Sequence, residues 1–237
     1  MPPTTVFLDV DGVIVDAVKL PQEYIRLLGD VLAPALGGEP EDWGRANGIV
    51  FPRVWEQLKD STNDQDELVN RVAIANIQGM AEHLGIAPPD EATCRRLDDD
   101  FHIYVRGNGD FFFAESADVI RTLAASYDVH ISSGNSSDMI EVMLERLGVS
   151  SEVGMKFGAD LVDARKGGPD FYPRVFDATS TDPAASVVVD DQPHQLALAA
   201  ALGAATVLIE AEPSGVAHPV DATISTIADL PAAIAAL

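Results

Sequence analysis

Two short apolar runs confine what this chain can fold into. Val6, Phe7 and Leu8 lead into Asp9, and Val187, Val188 and Val189 lead into Asp190 and Asp191. Consecutive apolar residues, without the polar alternation of a half-solvated strand, belong to parallel strands buried on both faces. Further strand and helix patterns alternate after the first run. Glu115 to Ser126 reads as helix, Val129 to Ser133 as strand and Ser137 to Leu147 as helix. Ser186 to Asp190 reads as strand with a helix to Leu202, Ala205 to Ile209 as strand, and the last residues as an alanine-rich helix. This alternation predicts an α/β fold built on a doubly wound parallel sheet with helices on both faces.

The span from 17 to 114 has a different texture and carries no strand pattern. Pro21 suits a first helical turn, and Tyr24, Leu27, Leu28, Val31 and Leu32 recur at helical spacing until Gly37 and Gly38. Asn63 or Asp64 is placed to cap a helix bearing Leu68, Val72, Ala75 and Met80, closed by Gly85. Another helix runs from Asp90 through Leu97, Phe101 and Tyr104 to Gly107. The expected organisation is a catalytic core from 1–16 and 115–237, with an all-helical domain from 17–114 inserted after its first strand.

Charge narrows the functional classes. The 237 residues include 38 acidic and 15 basic ones, a formal charge of -23. Such a surface repels nucleic acid and phosphate esters alike, so a phosphate site here needs its own local positive charge, which a divalent cation supplies. The lysines are Lys19, Lys59, Lys156 and Lys166. Cys94 is the single cysteine, which excludes a disulfide framework and a cysteine-based zinc site and leaves a small buried apolar side chain as its reading. MPPTTVFLDVDG lacks the basic region and long apolar run of a signal peptide, and no stretch of about 18 residues is apolar throughout. No membrane association is expected, and the cytoplasm is the expected compartment.

In an open parallel sheet the functional crevice lies beyond the carboxyl ends of the strands. Three predicted strands end there in polar residues: Asp9 with Asp11, Ser132 with Ser133 and Gly134, and Asp190 with Asp191. Asp9 and Asp11 are two residues apart, so both face one site as the strand ends. Carboxylates this close repel each other unless a cation sits between them or one is protonated.

VFLDVDGVIVD resembles the first motif of the haloacid dehalogenase-like (HAD) hydrolase superfamily, an apolar strand followed by D-x-D-G. The resemblance implies that Asp9 is the nucleophile and Asp11 the general acid and base, with its backbone carbonyl on magnesium; Asp16 is left a turn role. HISSGNSSDMI is similar to the second motif, with Ser133 as the phosphoryl-binding hydroxyl, Ser132 one register away and the Gly134 amide as a further donor. Lys166, in KGGPDFY, matches the lysine of the third motif, with Lys156 as its rival. SVVVDDQPHQLALAAALGA resembles the fourth, which makes Asp191 a direct magnesium ligand and Asp190 a second ligand or a partner behind it. Where some relatives carry an acid four residues after the metal ligand, this chain has Gln195.

The function implied is magnesium-dependent hydrolysis of a small phosphorylated metabolite through an aspartyl-phosphate. A sugar-phosphate mutase uses the same core residues. A haloacid dehalogenase of the same fold has less use for Asp11 and the Asp190/Asp191 pair, and a binding module without activity has no use for the acids. In the helical insert, Arg45, Arg53, Trp55, Lys59 and Arg106 are the candidates for reading the substrate.

Overall fold

The computed structural model describes residues 2–62, 65–212 and 215–237, with Gln65 and Asp66 described by backbone alone. The chain divides into two compact units, residues 1–17 with 111–237, and residues 18–110. In chain order the elements are β1 (Thr5–Leu8), α1 (Leu20–Leu36), α2 (Pro40–Leu58), α3 (Gln65–His83), α4 (Glu91–Asn108), α5 (Ser116–Ala124), β2 (Asp128–Ser132) and α6 (Ser137–Leu147). They continue with β3 (Lys156–Phe157), α7 (Ala159–Val162), α8 (Phe171–Thr179), β4 (Ser186–Asp190), α9 (Pro193–Ala200), β5 (Ala205–Ile209), β6 (Ala222–Ile224) and α10 (Leu230–Ala235).

The first unit is built on a six-stranded sheet in the order β3-β2-β1-β4-β5-β6, every pairing parallel. It is the doubly wound sheet that the alternating pattern predicts. β1 lies between β2 and β4, where the strand order reverses, and such a switch point opens a crevice at the carboxyl ends. Register sets what faces that crevice. Leu8 is level with Ile131 on β2 and with Val189 on β4, so Asp9, Ser132 and Asp190 follow at one height. The Asp9 amide donates to the Val189 carbonyl at 3.0 Å, carrying the ladder one residue past the strand. Phe7, Val188 and Leu208 point to one face, where Phe171, Tyr172, Val175 and Phe176 of α8 cover them. The Phe7 and Phe176 rings meet edge to face at 5.4 Å.

The second unit is all-helical. α1 packs on α2 and α4, and α3 packs on the same two, so the four helices close a ring. The Asp90 carboxylate caps α4 by accepting from the Thr93 amide at 2.8 Å. Cys94 is buried in α4, as a small apolar side chain would be. The cap read at Asn63 or Asp64 lies outside the described residues.

Several elements escape the sequence patterns. α2 contains Gly44, Gly48 and Pro52, which read as punctuation, yet the helix runs through all three and buries Trp43, Ala46, Val50 and Val54 at i, i+3 and i+4 spacing. β3 has two residues and α7 four, too few for any period to show. β6 is an edge strand of three residues, none of them buried. No helix among the described residues is long and apolar enough to cross a membrane.

Candidate active site

The crevice beyond β1, β2 and β4 collects the acids. Asp9 is 5% exposed and Asp190 0%. Lys166, in the loop between α7 and α8, reaches both: its Nζ lies 2.7 Å from Asp9 Oδ1 and 2.8 Å from Asp190 Oδ2. The loop turns at Gly167, whose φ of 91° favours glycine, and a Cβ there would meet Gln195 Nε2 at 3.0 Å. Lys156 is elsewhere, on β3, paired with Glu141 at 2.9 Å. Asp190 Oδ1 accepts from the Gln192 amide at 2.9 Å, so both of its oxygens are engaged by the protein.

Asp191 differs. Its Oδ1 is buried and has no hydrogen-bond partner. Asp9, Asp190 and Asp191 each present a carboxylate oxygen within 4.8 Å of the others. Burial pushes the Asp9 carboxyl up to about 7, against the pull of Lys166 and with a further push from Asp190. Burial also raises Asp190, again opposed by Lys166, and raises Asp191, helped by the charge of Asp9. Burial alone would depress the Lys166 ammonium, but Asp9 and Asp190 outweigh it and hold the group above its ordinary value. One ammonium therefore faces two buried carboxylates and the half-buried Asp191, which carries an orphaned oxygen. Hard carboxylate oxygens in excess negative charge are the donor set that magnesium takes.

Asp11 is half-buried, and its Oδ2 accepts from Asn135 Nδ2 at 3.0 Å. The same Nδ2 lies 3.0 Å from Ser133 Oγ, and the Asn135 amide donates to that oxygen at 3.2 Å. Asn135 thus ties the first motif to the second, and the sequence patterns miss it. It sits on the turn after β2, 124 residues from Asp11, and its one local signal is an amide two residues after a strand-end hydroxyl. Of the two serines, Ser133 joins this network, whereas Ser132 ends β2 with its hydroxyl buried. Gly134 faces the Lys166 stem, where a Cβ would sit 3.9 Å from the Lys166 Cβ. Tyr172 on α8 is a further buried neighbour. Burial raises its hydroxyl well above the usual range, and the Asp190 and Asp9 charges add to the effect. Asp16 is outside the cluster, its amide donating to the Phe111 carbonyl at 2.7 Å.

Gly12 lets the loop after β1 pass close to Asp191. Its φ is 82°, and a Cβ there would lie 2.3 Å from Asp191 Oδ2. Gly12→Ala is expected to cost about 2 to 4 kcal/mol, from the left-handed backbone and the overlap together. Thermal unfolding checks this, because each kcal/mol lowers the midpoint of a chain this size by about 2 to 4 °C.

Of the residues expected to read a substrate, Arg45 pairs with Asp42 and Lys59 with Glu56, and Arg53 is exposed. Trp55 and the buried Arg106 instead line a cavity inside the helical unit.

The family model described as haloacid dehalogenase-like hydrolase matches residues 3–203. No curated protein matches the sequence. Among solved structures the chain is similar to YfnB from Bacillus subtilis, described as a HAD-hydrolase and bound to magnesium, with 16% identity, a TM-score of 0.70 and 99% of each chain covered. It is also similar to a 2-haloacid dehalogenase from Pseudomonas syringae pv. Tomato, with 21% identity, a TM-score of 0.64 and 99% of each chain covered. L-2-haloacid dehalogenase from Xanthobacter autotrophicus aligns with 15% identity, a TM-score of 0.61 and 99% of each chain covered. At these identities the likenesses show a common fold.

Proposed function

The chain belongs to the haloacid dehalogenase-like hydrolase family, and from that membership we propose that it hydrolyses a small phosphate ester with magnesium, through an aspartyl-phosphate on Asp9. The observation that carries the reading is the excess of buried acid around one lysine, with Asp191 Oδ1 left without a partner. Asp9, the Asp11 carbonyl and Asp191 would hold the metal. Asp190, with both oxygens engaged, stands behind as the partner of Lys166. Bound there, magnesium neutralises charge on the transferring phosphoryl group.

The remaining chemistry falls to the chain itself. The Asp9 carboxylate attacks phosphorus, the P–O bond to the alcohol breaks, and the Asp11 carboxyl gives the departing oxygen its proton. Asp11, now a carboxylate, takes a proton from water as that water attacks the acyl phosphate. Phosphate leaves, and both carboxyl groups return to their starting states. Lys166 fixes Asp9 and balances its charge, Ser133 and the Gly134 amide donate to phosphoryl oxygens, and Asn135 aims Asp11.

A dehalogenase also needs a carboxylate nucleophile, but halide leaves without a proton, so Asp11 and the orphaned Asp191 oxygen would have no task. A direct test follows p-nitrophenyl phosphate, a panel of sugar phosphates and 2-chloropropionate, each with magnesium and with EDTA, reading inorganic phosphate and chloride. Magnesium-dependent phosphate release is expected. Chloride release insensitive to EDTA would overturn the reading, and isomerised sugar phosphate without free phosphate would replace it with a mutase. In isothermal titration, Asp191→Asn is expected to weaken magnesium binding roughly tenfold or more. Unchanged affinity would remove Asp191 from the metal site.

A further inference from the structure

The helix that follows the phosphoryl-binding turn is capped from a distance. Ser136 has the extended backbone of an N-cap at the start of α6, yet its hydroxyl caps nothing there. The first helical amide, that of Ser137, donates instead to Asp160 Oδ1 at 2.9 Å, across 23 residues of chain. The Ser137 hydroxyl donates to the other oxygen, Asp160 Oδ2, at 2.5 Å. Partial burial would raise the Asp160 carboxyl, but these two bonds outweigh it and hold the group below its ordinary value. A carboxylate also suits the positive end of the α6 dipole.

Asp160 lies in the first turn of α7, and the residue that enters this turn from β3 is Gly158. Gly158 is buried, and its φ of -89° is one that any residue adopts. Its contacts are what require glycine. A Cβ there would lie 2.3 Å from Asp160 Oδ1, 2.5 Å from the Asn135 carbonyl oxygen and 2.6 Å from the Ser137 nitrogen. Just before it, the Phe157 carbonyl accepts from the Ser133 amide at 2.9 Å. Phe157, Gly158 and Asp160 therefore hold the 133–137 turn from behind. The front of the same turn presents Ser133 Oγ and Asn135 Nδ2, the latter 3.0 Å from Asp11 Oδ2. Hydrogen bonds to an exposed residue such as Asp160 add little to global stability. A displacement of about 1 Å at a positioned acid, however, costs up to a hundredfold in rate.

We propose that Gly158 and Asp160 are positioning residues for the hydrolytic site: from the β3–α7 junction they fix the 133–137 turn and, through Asn135, the carboxyl of Asp11. The proposal rests on the phosphate-ester reading of Asp9 and Asp11.

The test compares parent, Asp160→Ala, Asp160→Asn and Gly158→Ala with magnesium, on p-nitrophenyl phosphate and on an alkyl phosphate. Asp160→Ala and Gly158→Ala are expected to lower kcat on the alkyl ester roughly tenfold and on the nitrophenyl ester less than about threefold, because nitrophenolate leaves without a proton. Asp160→Asn keeps an oxygen for the Ser137 amide and an N–H for its hydroxyl, so it should stay within about threefold of the parent on both. In an Asn135→Ala background Asp11 has already lost its aim, and adding Asp160→Ala should cost less than about twofold more. A further readout needs no turnover: the NMR signals of the Asn135 side-chain amide should move in Asp160→Ala and hold in Asp160→Asn. Equal loss on both esters, full additivity with Asn135→Ala, or unmoved Asn135 signals in Asp160→Ala would each overturn the positioning role while leaving the phosphate reading intact. A parent that releases no phosphate from either ester would overturn that reading and the proposal with it. If Gly158→Ala fails to fold, the exposed Asp160 still decides the question.

Discussion

Asp9→Asn is expected to lower turnover by roughly four orders of magnitude or more and to leave a folded protein. An amide oxygen is a poor nucleophile and cannot give the acyl phosphate, so no slower version of the same path remains. The fold has reason to survive. Lys166 keeps Asp190 at 2.8 Å, and removing one of several crowded acids relieves repulsion. The metal-free protein offers a second readout. The Asp9 pKa is raised from its ordinary 3.8 to about 7, so the native state holds this proton more tightly than the unfolded chain does. Its contribution is therefore fully present below about pH 3.8 and is lost as pH rises towards 7. In EDTA the unfolding midpoint of the parent should carry this decline between those values, and that of Asp9→Asn should decline less, by the part that Asp9 contributes beside the also raised Asp190 and Asp191. A variant that turns over within tenfold of the parent would remove Asp9 as the nucleophile.

What the sequence made legible follows from which interactions are local. Strands buried on both faces must be apolar along their length, so β1 and β4 stand out as runs, and the acids that end them, Asp9 and Asp190, stand out by contrast. The parallel register then brings those ends level without further information. The pattern fails where an element is short, as with β3, or where residues that break helices on average are carried by tertiary packing, as with Gly44, Gly48 and Pro52 in α2. It fails also where the decisive contact is remote. Nothing near Asn135 announces Asp11. Lys166 is marked by KGGPDFY, but that string does not say that one ammonium reaches both Asp9 and Asp190. The cavity among α1 to α4 belongs to the same class. Its lining reads as ordinary core periodicity, and the opening forms only where residues of four helices remote in sequence come together.

Asp11→Asn should behave differently from Asp9→Asn, and the difference depends on the leaving group. The Asp11 side chain is aimed by Asn135, whose Nδ2 lies 3.0 Å from Oδ2, and it is the acid placed to protonate a departing alcohol. Its backbone carbonyl survives the substitution, so magnesium affinity should stay within a few-fold of the parent. Turnover of an alkyl phosphate, whose alkoxide cannot leave unprotonated, should fall by roughly a hundred- to ten-thousandfold. Loss on p-nitrophenyl phosphate should be much smaller, because nitrophenolate departs without a proton and only the second step still asks for a base. Plotting rate against leaving-group pKa for parent and variant separates the possibilities. A steeper dependence in the variant identifies Asp11 as the proton donor. Parallel lines, with an equal loss for every ester, would give Asp11 a purely electrostatic or structural role, and the Asn135 contact would then serve to position the loop rather than the acid.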